Sequence, residues 1–151
     1  MKVFYDTNII LEYLFNRKEG ETVRNILLWS RDNNVEKFLS SGSFYTITYL
    51  IEKHLKNQGL QDIKNRRPVL SGILSGLLQE YTIIGETDWE KAIYDVRFSD
   101  LEDSYQYQTA LNADCNVLLT LNIRDFKQTT NNSTVQIMTP VEFANKYFPD
   151  K

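Results

Sequence analysis

A single cysteine, Cys115, and a single histidine, His54, stand in a chain of 151 residues. One cysteine cannot form an internal disulfide, and one histidine cannot build a multi-histidine metal site. Cys115 lies just before an apolar run and reads as a small buried residue. His54, beside Lys53 and Lys56, reads as part of a solvated helix face. Apolar runs are only a few residues long, too short to span a membrane. The start, MKVFYD, enters a strand pattern with no apolar signal segment. Together with the lone cysteine this gives the expectation of a soluble cytoplasmic protein. Repeats, low-complexity tracts and Pro/Gly-rich linkers are also missing, so residues 1–151 are expected to form one domain, long enough to bury a core. An excess of positive charge is absent too: 17 basic against 20 acidic residues leave a net charge of −3. That removes any general electrostatic case for nucleic acid and leaves only local basic clusters. These are Arg17-Lys18, Lys53 to Lys56, Lys64-Asn65-Arg66-Arg67, and Arg124 with Lys127, each of which also reads as an ordinary solvated face.

What is present is an alternation of short strand-like and helical patterns. Apolar, β-prone runs occur at 2–6, 36–40, 81–84, 116–120 and 134–139. Val23, Ile26, Leu27 and Ser30 form one stripe at helical spacing, and Phe44, Ile47, Ile51 and Leu55 another. A further helical stretch spans Leu60 to Leu78, with a break or kink expected near Pro68. Three helix starts carry the Ser/Thr-x-x-Glu pattern of a capping box: Thr87 to Glu90, Ser99 to Glu102, and Thr139 to Glu142 with Pro140 at the first helical position. Strands alternating with helices predict βαβ units with right-handed crossovers and a mostly parallel sheet of about five strands.

The acids fall where such a fold places function. Asp6 follows Val3-Phe4-Tyr5, and Asp125 follows the run Val117 to Thr120 in LNIRDF. Both are predicted beyond the carboxyl ends of strands, where open α/β sheets gather their sites. Asp100, Glu102 and Asp103 crowd a predicted helix start in DLEDSYQYQTAL. Clustered carboxylates raise each other's pKa, and a divalent cation offsets the repulsion. Structural explanations compete for some of them. Glu102 suits the capping box opened by Ser99, and Asp100 and Asp103 both gain from the helix dipole. Asp6 and Asp125 show no capping role in the sequence.

Taken in order, YDTNIILEYL, DLEDSYQYQTAL, LLTLNIRDF and the closing TP-E-F resemble a PIN domain along essentially the whole chain. Within that family the chain looks like the small prokaryotic PIN proteins, many of them toxin halves of VapBC-type toxin–antitoxin pairs. The resemblance implies a three-layer α/β/α sandwich whose acids bind Mg²⁺ or Mn²⁺ and cleave single-stranded RNA. On the positions that match, it makes Asp6, Asp103 and Asp125 the catalytic metal ligands, with Asp100 as an additional acid. Asn8 would hold the turn and position Asp6, with Thr120 and Asn122 as polar neighbours of Asp125 and Glu102 in support. Oxygen-only ligands suit hard divalent cations.

One departure stands out. The family's second acid aligns with Thr46, and Glu52, six residues on, points to another helix face. A water can fill one ligand position, since Mg²⁺ commonly keeps several. The competing reading is therefore a catalytically weakened PIN fold that binds RNA or protein. A haloacid-dehalogenase-like phosphatase would need a second Asp at position 8, which is Asn8. The partners compatible with the resemblance are an RNA substrate, an antitoxin protein and a second copy of the chain. Tyr105 and Tyr107 read mainly as core, with base stacking as an alternative.

Overall fold

A computed structural model describes residues 1–129 and 133–149, with the side chains of 127–129 outside the description. The side chain of Lys127 therefore lies outside the described residues. Five strands, β1 (Lys2–Tyr5), β2 (Glu36–Ser40), β3 (Thr82–Ile84), β4 (Val117–Leu119) and β5 (Gln136–Met138), form one sheet in the order β3-β2-β1-β4-β5. Every pairing is parallel. All five coincide with the apolar runs predicted to be strands.

Alternation along the strands divides the interior in two. Val3, Tyr5, Leu39, Val117, Leu119 and Met138 face one core, while Phe4, Phe38, Leu118 and Ile137 face the other. The first core is closed by α1 (Thr7–Leu14), α2 (Gly20–Asp32), α3 (Ser41–Asn57), α4 (Ile63–Glu80) and α7 (Pro140–Tyr147). The second is closed by α6 (Leu101–Asn112), through Tyr107 and Ala110, with Phe98 and Phe126. A sheet buried on both faces reads as continuous apolar runs, as these strands do. The result is the expected three-layer α/β/α arrangement.

Both predicted stripes are core faces. Val23, Ile26, Leu27 and Ser30 are buried on α2, and Ile47, Ile51 and Leu55 on α3 with Phe44 half-buried beside them. Cys115 is buried, and burial pushes its thiol up to about 11. His54 is exposed, its ring 4.8 Å from that of Phe15.

Three expectations need correction. Of the break or kink expected near Pro68, the break does not occur: one helix runs from Ile63 to Glu80. Pro68 leaves only the carbonyl of Lys64 without its i+4 donor, and Lys64 is exposed, so water can take that place. The capping box from Thr87 does not form: α5 (Trp89–Ile93) is preceded by Asp88 in a left-handed conformation (φ 55°) with no side-chain cap. Nor does the one from Ser99, because Asp100 caps α6 instead. The third box forms in full, Thr139 and Glu142 capping each other's backbone with Pro140 at the start of α7.

The strand order places a topological switch between β1 and β4. From β1 the chain winds outward through β2 to β3, then returns past β1 to β4 and β5. The crevice at the carboxyl ends of β1 and β4 is where such sheets hold ligands. Asp6 leaves β1 there, its N–H donating to the Leu119 carbonyl at 3.0 Å.

Candidate active site

Asp6 is the first residue after β1 and the N-cap of α1, with extended backbone (φ −66°, ψ 152°). The sequence reading gave it no capping role, yet Asp before a helical pattern is among the best caps. One carboxylate oxygen accepts from the Thr7 N–H at 2.7 Å and from the Gln106 amide at 3.3 Å; the other accepts from the Thr120 hydroxyl at 2.7 Å. Asp6 is 3% exposed. Burial drives its pKa up against the three hydrogen bonds, and the charge of Asp100 adds to the rise.

The start of α6 brings the next acids. Asp100 is its N-cap, accepting from the Glu102 N–H at 2.9 Å. Glu102 is thereby released from the capping box proposed for it, and its pKa is pushed up by partial burial and by the charges of Asp6 and Asp100. Asp103, one residue further, is 5% exposed, and its Oδ2 has no hydrogen-bond partner. Burial first, then the charges of Asp6, Asp100 and Asp125, push its pKa to about 8, and a hydrogen bond with Asp125 favours its protonated form.

Asp125 sits in a short 3₁₀ helix (Ile123–Thr129), its N–H bonded to the Asn122 carbonyl at 3.0 Å. Thr120 links the two ends of the site: its hydroxyl donates to Asp6 and accepts from the Asn122 N–H at 3.0 Å. Asn8 does not bond Asp6 as expected. Its side-chain oxygen accepts from the Leu121 N–H at 3.3 Å, tying α1 to the segment that leads to Asp125.

Asp6, Asp100, Asp103 and Asp125 thus act on one another across the β1–β4 crevice. Among the described residues no three acidic, histidine or cysteine side chains stand close enough to enclose an ion as they are. Mutual repulsion favours that spacing, and a cation removes the repulsion. A buried carboxylate oxygen with no donor, within the charge influence of three further carboxyls, belongs to the kind of donor set that a hard divalent cation takes. The donor chemistry of these residues fits such an ion, which would have to draw the carboxylates closer together.

The sequence profile of the PIN domain family matches residues 2–124. The chain belongs to the PIN domain family. The fold of this PIN domain is also similar to a chain in the crystal structure of VapBC2 from Rickettsia felis bound to a DNA fragment from their promoter. That similarity has a TM-score of 0.66 at 17% identity and covers 92% of this chain and 98% of the other. A comparison with curated protein sequences yields no match.

Thr46, on the first turns of α3 in this PIN domain, is exposed and donates its hydroxyl to the Gly42 carbonyl at 3.1 Å. It borders a cleft of about 350 Å³ beside the acids, together with Glu86, Glu102 and Gln106. Glu52 is turned away as predicted, paired with Arg66 at 3.1 Å. Arg66, counted in a basic cluster, is therefore a buried structural residue.

Two residues escaped the sequence reading. Gln106 lies one helical turn after Asp103 on the same face of α6, and its amide donates to Asp6, Thr7 and Ser43. Glu86 follows β3 as Asp6 follows β1, so the rule that selected Asp6 applies to it equally. Its carboxylate accepts from the Gly42 N–H at 2.6 Å and from the Ser41 hydroxyl. Burial raises its pKa, but those hydrogen bonds prevail and hold it below the usual carboxylate range.

Proposed function

We propose that this PIN domain is a metal-dependent endoribonuclease that cuts single-stranded RNA, and that it is the toxin of a toxin–antitoxin pair. The observation that carries the reading is Asp103: a buried carboxyl at a helix start, one oxygen without a donor, surrounded by Asp6, Asp100 and Asp125. A folding role does not explain that arrangement, which costs stability as it stands.

Asp6, Asp103 and Asp125 would hold Mg²⁺ or Mn²⁺, with Asp100 adding charge. When bound, such an ion supplies an activated water and neutralises charge developing on phosphate and leaving oxygen. The protein's own part is positioning. Thr120 and Gln106 fix both oxygens of Asp6, so its carboxylate is oriented before substrate arrives. Asp103, ionised by the presence of a cation, keeps one oxygen free of protein donors. Arg124, exposed beside Asp125, is placed to meet the RNA backbone.

The partner reading draws on the VapBC2 complex of Rickettsia felis, whose fold this chain shares. An antitoxin that offers an Arg to the acid crevice would replace the cation's charge with bidentate geometry. Among the described residues no helix is long and apolar enough to cross a membrane.

A second reading, an RNA- or protein-binding module with weakened catalysis, is favoured by Thr46, since α3 brings no carboxylate at that position. Incubation of the purified protein with end-labelled single-stranded RNA in Mn²⁺, with and without excess chelator, separates the two. Cleavage in Mn²⁺ that stops with chelator is expected. Undiminished cleavage in chelator would remove the metal mechanism, and RNA binding without cleavage would favour the second reading.

A further inference from the structure

Next to the acid crevice lies the cleft between the start of α3 and the start of α6, about 350 Å³ in volume. That is the size at which ligand sites begin. Two of its walls are aromatic: Trp89, half exposed, meets Tyr105 edge-to-face with ring centroids 5.1 Å apart. None of the residues lining the cleft is basic, whereas Glu86 and Glu102 are both acidic. Such a cleft disfavours a phosphate and favours a flat ring that presents N–H donors.

We propose that this cleft seats a guanine base of the single-stranded RNA substrate, stacked on Trp89, edge-on to Tyr105 and read by the Glu86 carboxylate. The proposal rests on the nuclease reading, because it supplies the substrate's base beside the bond to be cut. Single-stranded RNA is recognised by stacking on aromatic rings and by hydrogen bonds to the Watson–Crick edge. Guanine alone presents two adjacent donors there, N1–H and the N2 amino group. Adenine and cytosine offer an amino group beside an acceptor nitrogen, and uracil one N–H between two acceptors. A carboxylate is acceptor-only and takes two parallel donors.

Glu86 is built for that task. The Gly42 N–H holds one of its oxygens and the Ser41 hydroxyl the other, which fixes the carboxylate at the wall of the cleft. Position 42 must be glycine for this contact, since a Cβ there would stand 2.7 Å from Glu86 Oε1. Continuity with the acid crevice runs through Gln106, which lines the cleft and bonds Asp6.

The test is calorimetric titration of the protein, in excess chelator, with the 2′-O-methyl trinucleotides UGU, UAU, UCU and UUU. UGU should bind about tenfold tighter than the others, and inosine in place of guanosine should lose about threefold. Glu86→Gln, and Gly42→Ala, which displaces the flexible end of Glu86, should bring the four within about twofold of each other. Trp89→Ala should weaken all four through lost stacking. Equal binding of the four to the wild type would overturn the proposal. So would a UGU preference untouched by inosine, which tests the same contact without altering the protein. A clear UGU preference in a protein that cleaves no RNA in Mn²⁺ would sink the nuclease reading and leave the base site standing. Cleavage with no base preference would do the reverse.

Discussion

Asp6 and Asp103 meet different demands, and substitutions separate them. Asp6 caps α1 as well as facing the other acids, so Asp6→Asn keeps a good cap while losing the charge. Cleavage should fall to background in Asp6→Asn with little change in melting temperature. Asp6→Ala should in addition cost about 1 kcal/mol for the cap and leave Gln106 and Thr120 without their shared acceptor; thermal melts check both. For Asp103 the direction follows from its pKa, raised from the usual 3.8 to about 8. Between those values the folded protein binds a proton that the unfolded chain has released. Stability of the metal-free protein therefore falls as pH rises through that window, and the deficit is complete above it. Asp103→Asn should remove the deficit, raising the metal-free melting temperature at pH 8.5 by about 3 °C or more and changing little at pH 4. A variant that melts below the wild type at pH 8.5 would contradict the buried, repelled carboxyl described above.

Elements were legible in the sequence to the extent that one physical rule governed each. β1, β2, β4 and β5 follow from apolar runs because their inner residues are buried, whereas β3, a half-buried edge strand, is marked by its β-branched residues. Helix starts were less legible where two capping side chains compete. Ser99 and Asp100 are neighbours, and the carboxylate of Asp100 takes the cap, which left Glu102 explained by a box that does not form. The rule of acids beyond strand ends selects Asp6 and Asp125 and holds equally for Glu86, two residues past β3, which escaped the sequence reading. Gln106 carries no charge and no motif, so only its hydrogen bonds to Asp6, Thr7 and Ser43 reveal it. Glycine gives an element-level prediction. A Cβ on Gly20 would meet the backbone carbonyl oxygen of Glu12 at 2.7 Å, whereas one on Gly72, within α4, meets nothing within 4 Å. Gly20→Ala should destabilise by about 1–3 kcal/mol, and Gly72→Ala should stabilise by about 0.5–1 kcal/mol. Denaturant unfolding of the two variants measures both signs.

At the scale of the whole molecule, the acids converge because the strand order reverses between β1 and β4 of an all-parallel sheet. Residues nearly a hundred positions apart in sequence, Asp6 and Asp103, meet only through that reversal. With a net charge of −3 the chain has no overall attraction for RNA, so under the proposed function binding falls to the cation and to local contacts. The most direct test is the initial rate of single-stranded RNA cleavage in Mn²⁺ by the wild type and by Asp103→Asn, each first shown to be folded by its thermal melt. The account predicts cleavage by the wild type and a loss of about 100-fold or more in Asp103→Asn. Equal rates from the two proteins would contradict it.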